Sequence, residues 1–206
     1  MKNAHQKIYL ASKSPRRREL LRQIGVDFEL LLLRDKTPRG PDVDEAVLEH
    51  EHPAAYVARV TLEKAAFAFQ TMRWRKLPPR PILAADTTVT IDGLILGKPA
   101  DLAEATAMLQ RLSGRTHHVL TNIVVVHAEQ SWQITQTSEV VFQTLSEQTI
   151  SAYCATAEPY DKAGAYGIQG PAAVFIQRIN GSHSGIMGLP LFETAQLLQQ
   201  AGIRIL

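Results

Sequence analysis

The chain has a single cysteine and no long apolar run. Cys154 stands alone among 206 residues, which excludes an internal disulfide. The apolar run Ile8–Ala11 near the start is far shorter than a signal-peptide core or a membrane span. We therefore expect a cytoplasmic protein without a membrane partner.

A large excess of one charge is also lacking. The 22 Lys and Arg residues oppose 20 Asp and Glu residues, for a formal net charge of +2. No overall positive field therefore favours a nucleic-acid partner, and we expect none. The positive charge is still clustered in two segments, made of Arg16, Arg17, Arg18 and Arg22 and of Arg73, Arg75, Lys76 and Arg80.

The composition is that of an ordinary globular protein, with 45% hydrophobic and 20% charged residues. Strand-like and helix-like segments alternate, with hairpins between some of them, which predicts an α/β fold with a mixed sheet. No clean linker divides residues 1–206, so one domain is expected. The predicted strands are Ile8–Ala11, Phe28–Leu33, Ile82–Ile91, Leu94–Leu96, Val119–Val126, Trp132–Phe142 and Val174–Ile179.

Helices are predicted from capping residues and from apolar spacing. One begins after Ser14, and another, capped by Asp101 and Glu104, places Leu102, Ala105, Met108, Leu109 and Leu112 on one apolar stripe. The others span about Ala54–Met72, Ser146–Thr156 and Leu189–Gln200, the last with Leu191, Thr194, Ala195 and Leu198 on one face. Segments 34–53 and 73–81 are predicted as a surface loop and a basic connector.

The strand-to-helix junction at Ser12–Arg17 is a candidate anion site. Ser14 suits the N-cap and Pro15 the first helical position. Backbone N–H groups at a helix N-terminus attract phosphate, and Arg16 and Arg17 can each bind phosphate oxygens bidentately. Because arginine in a first turn opposes the helix dipole, phosphate binding is favoured over a merely solvated basic turn.

Asp86 interrupts an otherwise apolar strand. An unpaired buried carboxylate is costly, so this residue predicts a metal, a cation or a catalytic role. A strand-end Asp that caps a neighbouring turn is an equally open alternative. Lys98 could reach a phosphate, although a solvated loop lysine is the commoner case.

The segment from Glu158 to Gly170 combines glycines with charged and hydrogen-bonding side chains. Its glycines allow close approach to a ligand, or they serve only as turns. Tyr166 could stack on a base, and the amide of Gln169 could both donate to and accept from a base edge. Cys154 is read as a packed thiol, and His117 lacks the partner spacing of a zinc ligand.

Six blocks of sequence resemble the Maf family of nucleotide pyrophosphatases. They are Ser-Lys-Ser-Pro-Arg-Arg-Arg-Glu-Leu-Leu at 12–21, Leu-Glu-Lys-Ala at 62–65, Ala-Asp-Thr at 85–87, Gly-Lys-Pro at 97–99, Leu-Ser-Gly-Arg-Thr-His at 112–117 and Asp-Lys-Ala-Gly-Ala-Tyr-Gly-Ile-Gln-Gly at 161–170. Each block alone is modest support, but six in register are specific.

The resemblance implies a mixed, twisted α/β sheet with flanking helices and two lobes around a deep cleft, similar to inosine triphosphate pyrophosphatases. It implies hydrolysis of a nucleoside triphosphate to the monophosphate and pyrophosphate with a divalent metal, Mg²⁺ or Mn²⁺. Asp86 matches the catalytic proton acceptor, and Arg16, Thr87 and Gln169 match positions linked to substrate choice. The ending at Gln169 resembles the branch that prefers dTTP and UTP, and modified pyrimidine nucleotides are compatible with it.

The resemblance extends to further site residues. Residues 34–42 look inserted relative to the family, so that Asp44 and Glu45 supply its acidic pair, with Glu45 expected beside Asp86 at the metal. Phosphate charge would be neutralised by Arg16, Lys64, Lys98 and Lys162, helped by N–H groups around Ser14. A nucleotide-sensing regulator of septum formation without turnover is the alternative function, and a homodimer stays open.

Overall fold

The computed structural model describes residues 7–33 and 42–205. Their seven strands form one mixed sheet: β1 (Ile8–Leu10), β2 (Phe28–Leu30), β3 (Ile82–Ile91), β4 (Leu94–Leu96), β5 (Thr116–His127), β6 (Gln130–Phe142) and β7 (Ile176–Asn180). The order is β2-β1-β3-β5-β6-β7, with β4 paired to β3. The β1–β2 and β1–β3 pairs are parallel and the others antiparallel, which confirms the predicted mixed sheet.

Six helices lie against this sheet in the described residues: α1 (Pro15–Gln23), α2 (Pro53–Trp74), α3 (Leu102–Leu112), α4 (Glu147–Cys154), α5 (His183–Ile186) and α6 (Leu191–Gln200). Side-chain caps start several of them as the sequence predicts. Ser14 Oγ accepts from the N–H of Arg17, and Asp101 Oδ1 accepts from the N–H of Glu104. None of the helices in the described part of the chain is long and apolar enough to span a bilayer.

The long strands run through two apolar cores, and this gives the fold its two lobes. Leu83 and Ala85 of β3 pack with α1 and α6, whereas Val89 and Ile91 of the same strand pack with α3 and α4. On the opposite face of the sheet, α2 packs over β3 and β5. Asp86 and Thr87 therefore lie between the lobes, where neither core covers β3 completely.

Several predicted boundaries differ from the structure. The second strand ends at Leu30 rather than Leu33, and α2 continues two residues past Met72 into the predicted connector. The last strand starts at Ile176, because Pro171–Phe175 form a 3₁₀ turn. The four-residue α5 was not predicted, and residues 34–41 of the predicted loop lie outside the described residues.

Two predicted apolar faces are also partly wrong. Leu102 is 56% exposed, because it is the first residue of α3 and lies beyond the edge of the core that Ala105, Met108, Leu109 and Leu112 enter. On α6 the buried residues are Thr194, Leu197 and Leu198, while Leu191 and Ala195 are only half-buried. The face of α6 is thus rotated slightly from the predicted one.

Candidate active site between the lobes

One cavity of about 370 Å³ opens between the two lobes at the middle of β3. The β1–α1 junction, α2, the β4–α3 connection and the segment after α4 all contribute to its wall. All ten site residues predicted from the sequence line this one cavity: Ser14, Arg16, Arg17, Glu45, Lys64, Asp86, Thr87, Lys98, Lys162 and Gln169. Residues separated by as many as 155 positions are therefore brought to one place.

The centre of the cavity is an ion-paired cluster of Lys64, Asp86 and Glu45. Lys64 Nζ lies 2.6 Å from Asp86 Oδ1 and 2.7 Å from Glu45 Oε1. The side chains of Lys64 and Asp86 are only 16% and 13% exposed, whereas that of Glu45 is 50% exposed. A lysine between two carboxylates offsets the cost of burying Asp86. Asp86 is thus a strand-centre residue with a cation partner and not a turn cap.

Helix α2 holds the Glu45 segment as well as Lys64. Tyr56 Oη donates to the carbonyl of Glu45 at 3.1 Å, and Arg59 NH2 donates to the carbonyl of Ala46 at 2.9 Å. Arg59 also forms a 2.7 Å ion pair with Glu51, which lowers the pKa of Glu51 to about 2. Tyr56 and Lys64 are eight positions apart on α2 and so lie on the same face.

Burial and then the charges of Asp86 and Glu45 raise the pKa of Tyr56 to about 12. Its hydroxyl thus keeps its proton near neutral pH and continues to donate to the Glu45 carbonyl. Sequence reasoning missed the anchoring role of Tyr56 and Arg59. The signal was the spacing along α2, where Lys64 follows Tyr56 by eight positions on the same face and Arg59 follows Tyr56 by three.

Asp86 and Glu45 are the residues that could hold a magnesium-like ion jointly with the oxygens of a phosphate ligand. The described residues contain no group of three or more His, Cys, Asp or Glu side chains that could enclose a metal. Mg²⁺ in phosphate-processing sites is commonly held by one or two carboxylates together with substrate oxygens. Asp86 and Glu45 both already contact one cation, the Lys64 ammonium, so their oxygens converge on one point.

Arg17 bonds to the protein through four of its five N–H donors. Nε donates to Gly188 O at 2.7 Å, NH1 to Ala85 O at 2.7 Å and to Ser12 Oγ at 3.2 Å, and NH2 to Thr87 Oγ1 at 3.1 Å. Burial lowers the pKa of this guanidinium, and the nearby Asp86 charge opposes that effect. Arg17 thus ties α1 to β3 and to the turn after α5.

The hydroxyl of Thr87 donates its only proton to the hydroxyl of Thr121. Thr121 Oγ1 donates its proton to Gly185 O at 2.8 Å, so the 2.9 Å bond between the two threonine hydroxyls must use the proton of Thr87. Thr87 Oγ1 also accepts from Arg17. The remaining lone pair of Thr87 can therefore accept from a ligand, but its hydroxyl has no proton left to donate.

Arg16 and Lys162 flank Asp161 at the mouth of the cavity. Arg16 NH1 lies 3.5 Å from Asp161 Oδ2, and Lys162 Nζ donates to Asp161 Oδ1 and to the carbonyl of Glu158 at 2.8 Å. Burial raises the pKa of Asp161, but the hydrogen bond from Lys162 and the two positive charges outweigh it, so that the net shift is downward. Two cations therefore converge on one carboxylate across the cleft.

Two predicted residues face the cavity without a protein partner. The ammonium of Lys98 and the side-chain amide of Gln169 form no hydrogen bond or ion pair with any residue in 7–33 or 42–205. Both residues are exposed in the cleft. They remain available to a ligand, one as a point charge and the other as a paired donor and acceptor.

The interpretation of Tyr166 as a stacking platform is wrong. The residue is 5% exposed, and its ring packs edge-to-face against His117 and Phe142. Its hydroxyl lies 2.8 Å from His117 Nε2. Tyr166 borders the cavity, but its ring packs into the core, so the exposed Gln169 is the better placed side chain of this segment for contact with a ligand. Cys154 is buried, as predicted.

Comparison with known proteins places the chain in a described family. Residues 7–201 match the family described as "Maf-like protein". A protein of Aromatoleum aromaticum named "dTTP/UTP pyrophosphatase" is 53% identical over 203 residues, covering 98% of each chain. Proteins of the same name from Ralstonia nicotianae and Dechloromonas aromatica are 54% and 48% identical, over 98% and 96% of this chain and 97% and 98% of theirs.

Among solved structures, the Ham1 protein of Staphylococcus aureus matches with a TM-score of 0.40 and 13% identity, covering 66% of this chain and 71% of that one. That likeness is too distant to carry an argument. The family match spans nearly the whole chain and includes every segment that lines the cavity. The chain belongs to the Maf family.

Proposed function

We propose that this protein hydrolyses nucleoside triphosphates, chiefly dTTP and UTP, to the nucleoside monophosphate and pyrophosphate. The observation that carries the proposal is the composition of the cavity wall. The carboxylates of Asp86 and Glu45 line it together with several Lys and Arg side chains. The names of relatives about 50% identical over nearly the full chain support the same reaction and the same two substrates.

Triphosphate cleavage requires neutralisation of charge on the substrate and on the leaving pyrophosphate. Arg16, Lys98 and Lys162 supply three positive charges at the cavity wall. Lys98 has no competing partner in the described chain, while Arg16 and Lys162 share Asp161. A triphosphate entering the cleft takes the place of that carboxylate in neutralising the two cations. N–H groups at the start of α1, near Ser14, add to this anion site.

Asp86 is the acidic group closest to the reaction. Its Oδ1 is held by Lys64 at 2.6 Å, while no hydrogen bond from a described residue engages Oδ2. Oδ2 can accept a proton from the attacking water or orient that water. The water oxygen forms a bond to the α- or the β-phosphorus as the bond from that phosphorus to the bridging oxygen breaks. The electron pair stays on the bridging oxygen, which leaves with pyrophosphate after attack at the α-phosphorus and with the monophosphate after attack at the β-phosphorus.

Asp86 and Glu45 are the residues that would hold Mg²⁺ or Mn²⁺. A divalent ion bound there would neutralise phosphate charge and lower the barrier to in-line attack. Lys64 contributes a fixed positive charge that keeps the two acids convergent before substrate binds. Its place between them makes Lys64 an organiser of the acidic pair in this scheme, in addition to the phosphate-binding role predicted from the sequence.

Selectivity for pyrimidines rests on Gln169 and Thr87. The imide edge of thymine or uracil presents acceptor, donor and acceptor groups, and a free Gln amide can satisfy two of them. Thr87 can only accept, so it suits a substrate hydroxyl or N–H and does not suit a phosphate oxygen. Arg17 is assigned to positioning Thr87, because its donors bind protein oxygens.

In this proposal residues 1–206 work as a single cytoplasmic domain whose partner is the nucleotide. The first basic cluster is divided between the cavity and the protein interior, as Arg16 and Arg17 show. In the second cluster, Arg80 lies 3.1 Å from Glu29, while Arg73 and Arg75 are exposed. We propose no nucleic-acid partner, in keeping with the formal net charge of only +2.

The test is turnover with a substrate panel. Purified protein is incubated with Mg²⁺ or Mn²⁺ and with dTTP, UTP, CTP, GTP, 7-methyl-GTP or ITP, beside an Asp86→Ala control. Monophosphate and pyrophosphate formed from dTTP and UTP, and absent from the control, support the proposal. Cleavage mainly of 7-methyl-GTP or ITP keeps the reaction and overturns the pyrimidine assignment. Tight binding without any cleavage favours the nucleotide-sensing alternative.

A further inference from the structure

Glu158 lies behind the segment that presents Gln169. Its carboxylate rests directly on the backbone of Gly170 and Gly167, the two glycines on either side of Ile168 and Gln169. A Cβ added at Gly170 would overlap Glu158 Oε1, and one added at Gly167 would lie 2.9 Å from the same atom. A Cβ at Gly170 would push the carboxylate away, whereas a Cβ at Gly167 would meet the side chains of both Lys162, at 2.8 Å, and Glu158.

The backbone conformation of Gly170 does not itself require glycine. Its φ of −108° lies in the range open to any L-residue. What a Cβ at this position would disturb is therefore the close contact with the Glu158 carboxylate. The constraint works in both directions, because the glycine backbone also fixes where the carboxylate sits.

Tyr153 of α4 is the neighbour of this carboxylate on its other side. Burial, followed by the charge of Glu158, raises the pKa of Tyr153. Glu158 Oε1 and Tyr153 Oη are both buried, and neither has a hydrogen-bond partner of good geometry within the described residues. The side chain of Glu158 is thus enclosed between α4 and the Gly167–Gly170 segment.

Glu158 does not reach the ion-paired cluster of Lys64, Asp86 and Glu45. It is absent from the wall of the main cavity and lines an adjoining cavity of about 400 Å³, whose wall also includes Gln169. Gln169 borders both cavities, and Glu158 lines only the second one, on the side of Gln169 away from the main cavity. The main-chain carbonyl of Glu158 separately accepts from Lys162 at 2.8 Å.

We propose that Glu158 is a positioning residue for base selection: its side chain sets the Gly167–Gly170 segment and thereby the amide of Gln169. The inference rests on the proposed pyrimidine nucleotide hydrolysis. It assigns the side chain to recognition of the base, while the main-chain carbonyl of the same residue holds Lys162 near the phosphates. Side-chain substitutions at Glu158 leave that carbonyl in place, so the two roles can be separated.

The experiment measures kcat and KM for dTTP and CTP in the wild-type protein, Glu158→Ala and Glu158→Gln. Glu158→Ala removes the support, so we expect about a tenfold lower dTTP/CTP ratio of kcat/KM, mostly through a higher KM for dTTP. Glu158→Gln keeps the shape and should retain the ratio within about twofold. An unchanged ratio in Glu158→Ala, or a change confined to kcat, would overturn the proposal.

A second pair of variants tests the contact itself. Gly170→Ala places a methyl group where the carboxylate lies and should lower the ratio as Glu158→Ala does. In the double variant Glu158→Ala/Gly170→Ala the carboxylate is absent, so the methyl group has nothing further to displace and the ratio should stay at the level of Glu158→Ala alone. Additive losses would show that Gly170 acts without Glu158 and would overturn the inference.

Turnover by the wild-type protein distinguishes failure of the proposed function from failure of the role assigned to Glu158. If it cleaves neither dTTP nor UTP, the proposed function fails and the positioning role falls with it. If it cleaves both and the variants keep the wild-type ratio, the proposed function stands and only the role of Glu158 is rejected.

Discussion

Lys64 on α2 and Asp86 on β3 meet with Nζ 2.6 Å from Oδ1, and both side chains are largely buried. The same ammonium holds Glu45 at 2.7 Å. This one lysine therefore connects the helix that covers the sheet, the centre of the sheet and the segment before α2. A change at Lys64 should therefore affect both the stability of the fold and the net charge of the cavity.

Replacement of Lys64 by Met should reduce turnover of dTTP by about 100-fold or more, since it leaves two carboxylates without their shared cation. Lys7→Met is the matched control, because it removes the same charge from a surface pair with Glu29. Steady-state kinetics together with thermal unfolding measure the effect. Equal kinetics in the two variants would refute the role of Lys64.

Gln169→Glu should weaken the use of dTTP and UTP relative to other nucleotides. The carboxylate can accept but cannot donate to the base, and it adds negative charge beside a triphosphate. The relative kcat/KM values across the nucleotide panel are the measurement, and Gln110→Glu, at an exposed position of α3 outside the cavity wall, serves as the control for charge. Retention of the wild-type dTTP preference would remove Gln169 from base selection.

Arg17→Lys should destabilise the fold and lower kcat together. Lysine cannot reproduce the fork that bonds Gly188, Ala85 and Thr87, so we expect a loss of about 2 kcal/mol in the free energy of unfolding. Urea unfolding and kinetics report the two effects, with Arg22→Lys on the same helix as the control. If Arg17 instead contacts only phosphate, stability will be unchanged and KM alone will rise.

His117 should make the protein sensitive to acid. Burial, and then the charge of His118, lower its pKa from 6.5 to about 4. Between these pH values the unfolded chain takes up a proton that the folded chain excludes, so stability falls as the pH drops through this window, by about 3 kcal/mol in total. His117→Asn should flatten the dependence of the unfolding free energy on pH between 6.5 and 4, whereas His118→Asn should keep most of it. Identical slopes in the wild type and His117→Asn would contradict this origin.

Strands β3 and β4 and the turn between them show how much of the secondary structure local sequence signals predict. Ile82–Ile91 and Leu94–Leu96 were predicted with the bounds that the structure has, because a continuous apolar run and an Asp-Gly turn are local signals. The N-caps of α1 at Ser14 and of α3 at Asp101 were also predicted from the sequence and are confirmed. Family resemblance added roles for Glu45, Lys64 and Thr87 to the candidates that local motifs had supplied, and all ten residues line the cavity.

The sequence by itself determined the alternation of strands and helices, the mixed sheet and the residue types that make the chemistry. Only the tertiary structure decided which of those side chains face a ligand. Arg16 and Arg17 are adjacent and chemically identical, yet one pairs with Asp161 across the cleft and the other bonds the protein interior. Tyr166 lies in a ligand-like segment, yet its ring packs into the core. The physical reason is that burial and hydrogen-bond partners come from segments distant in sequence, whose arrangement is fixed when the two lobes pack around β3.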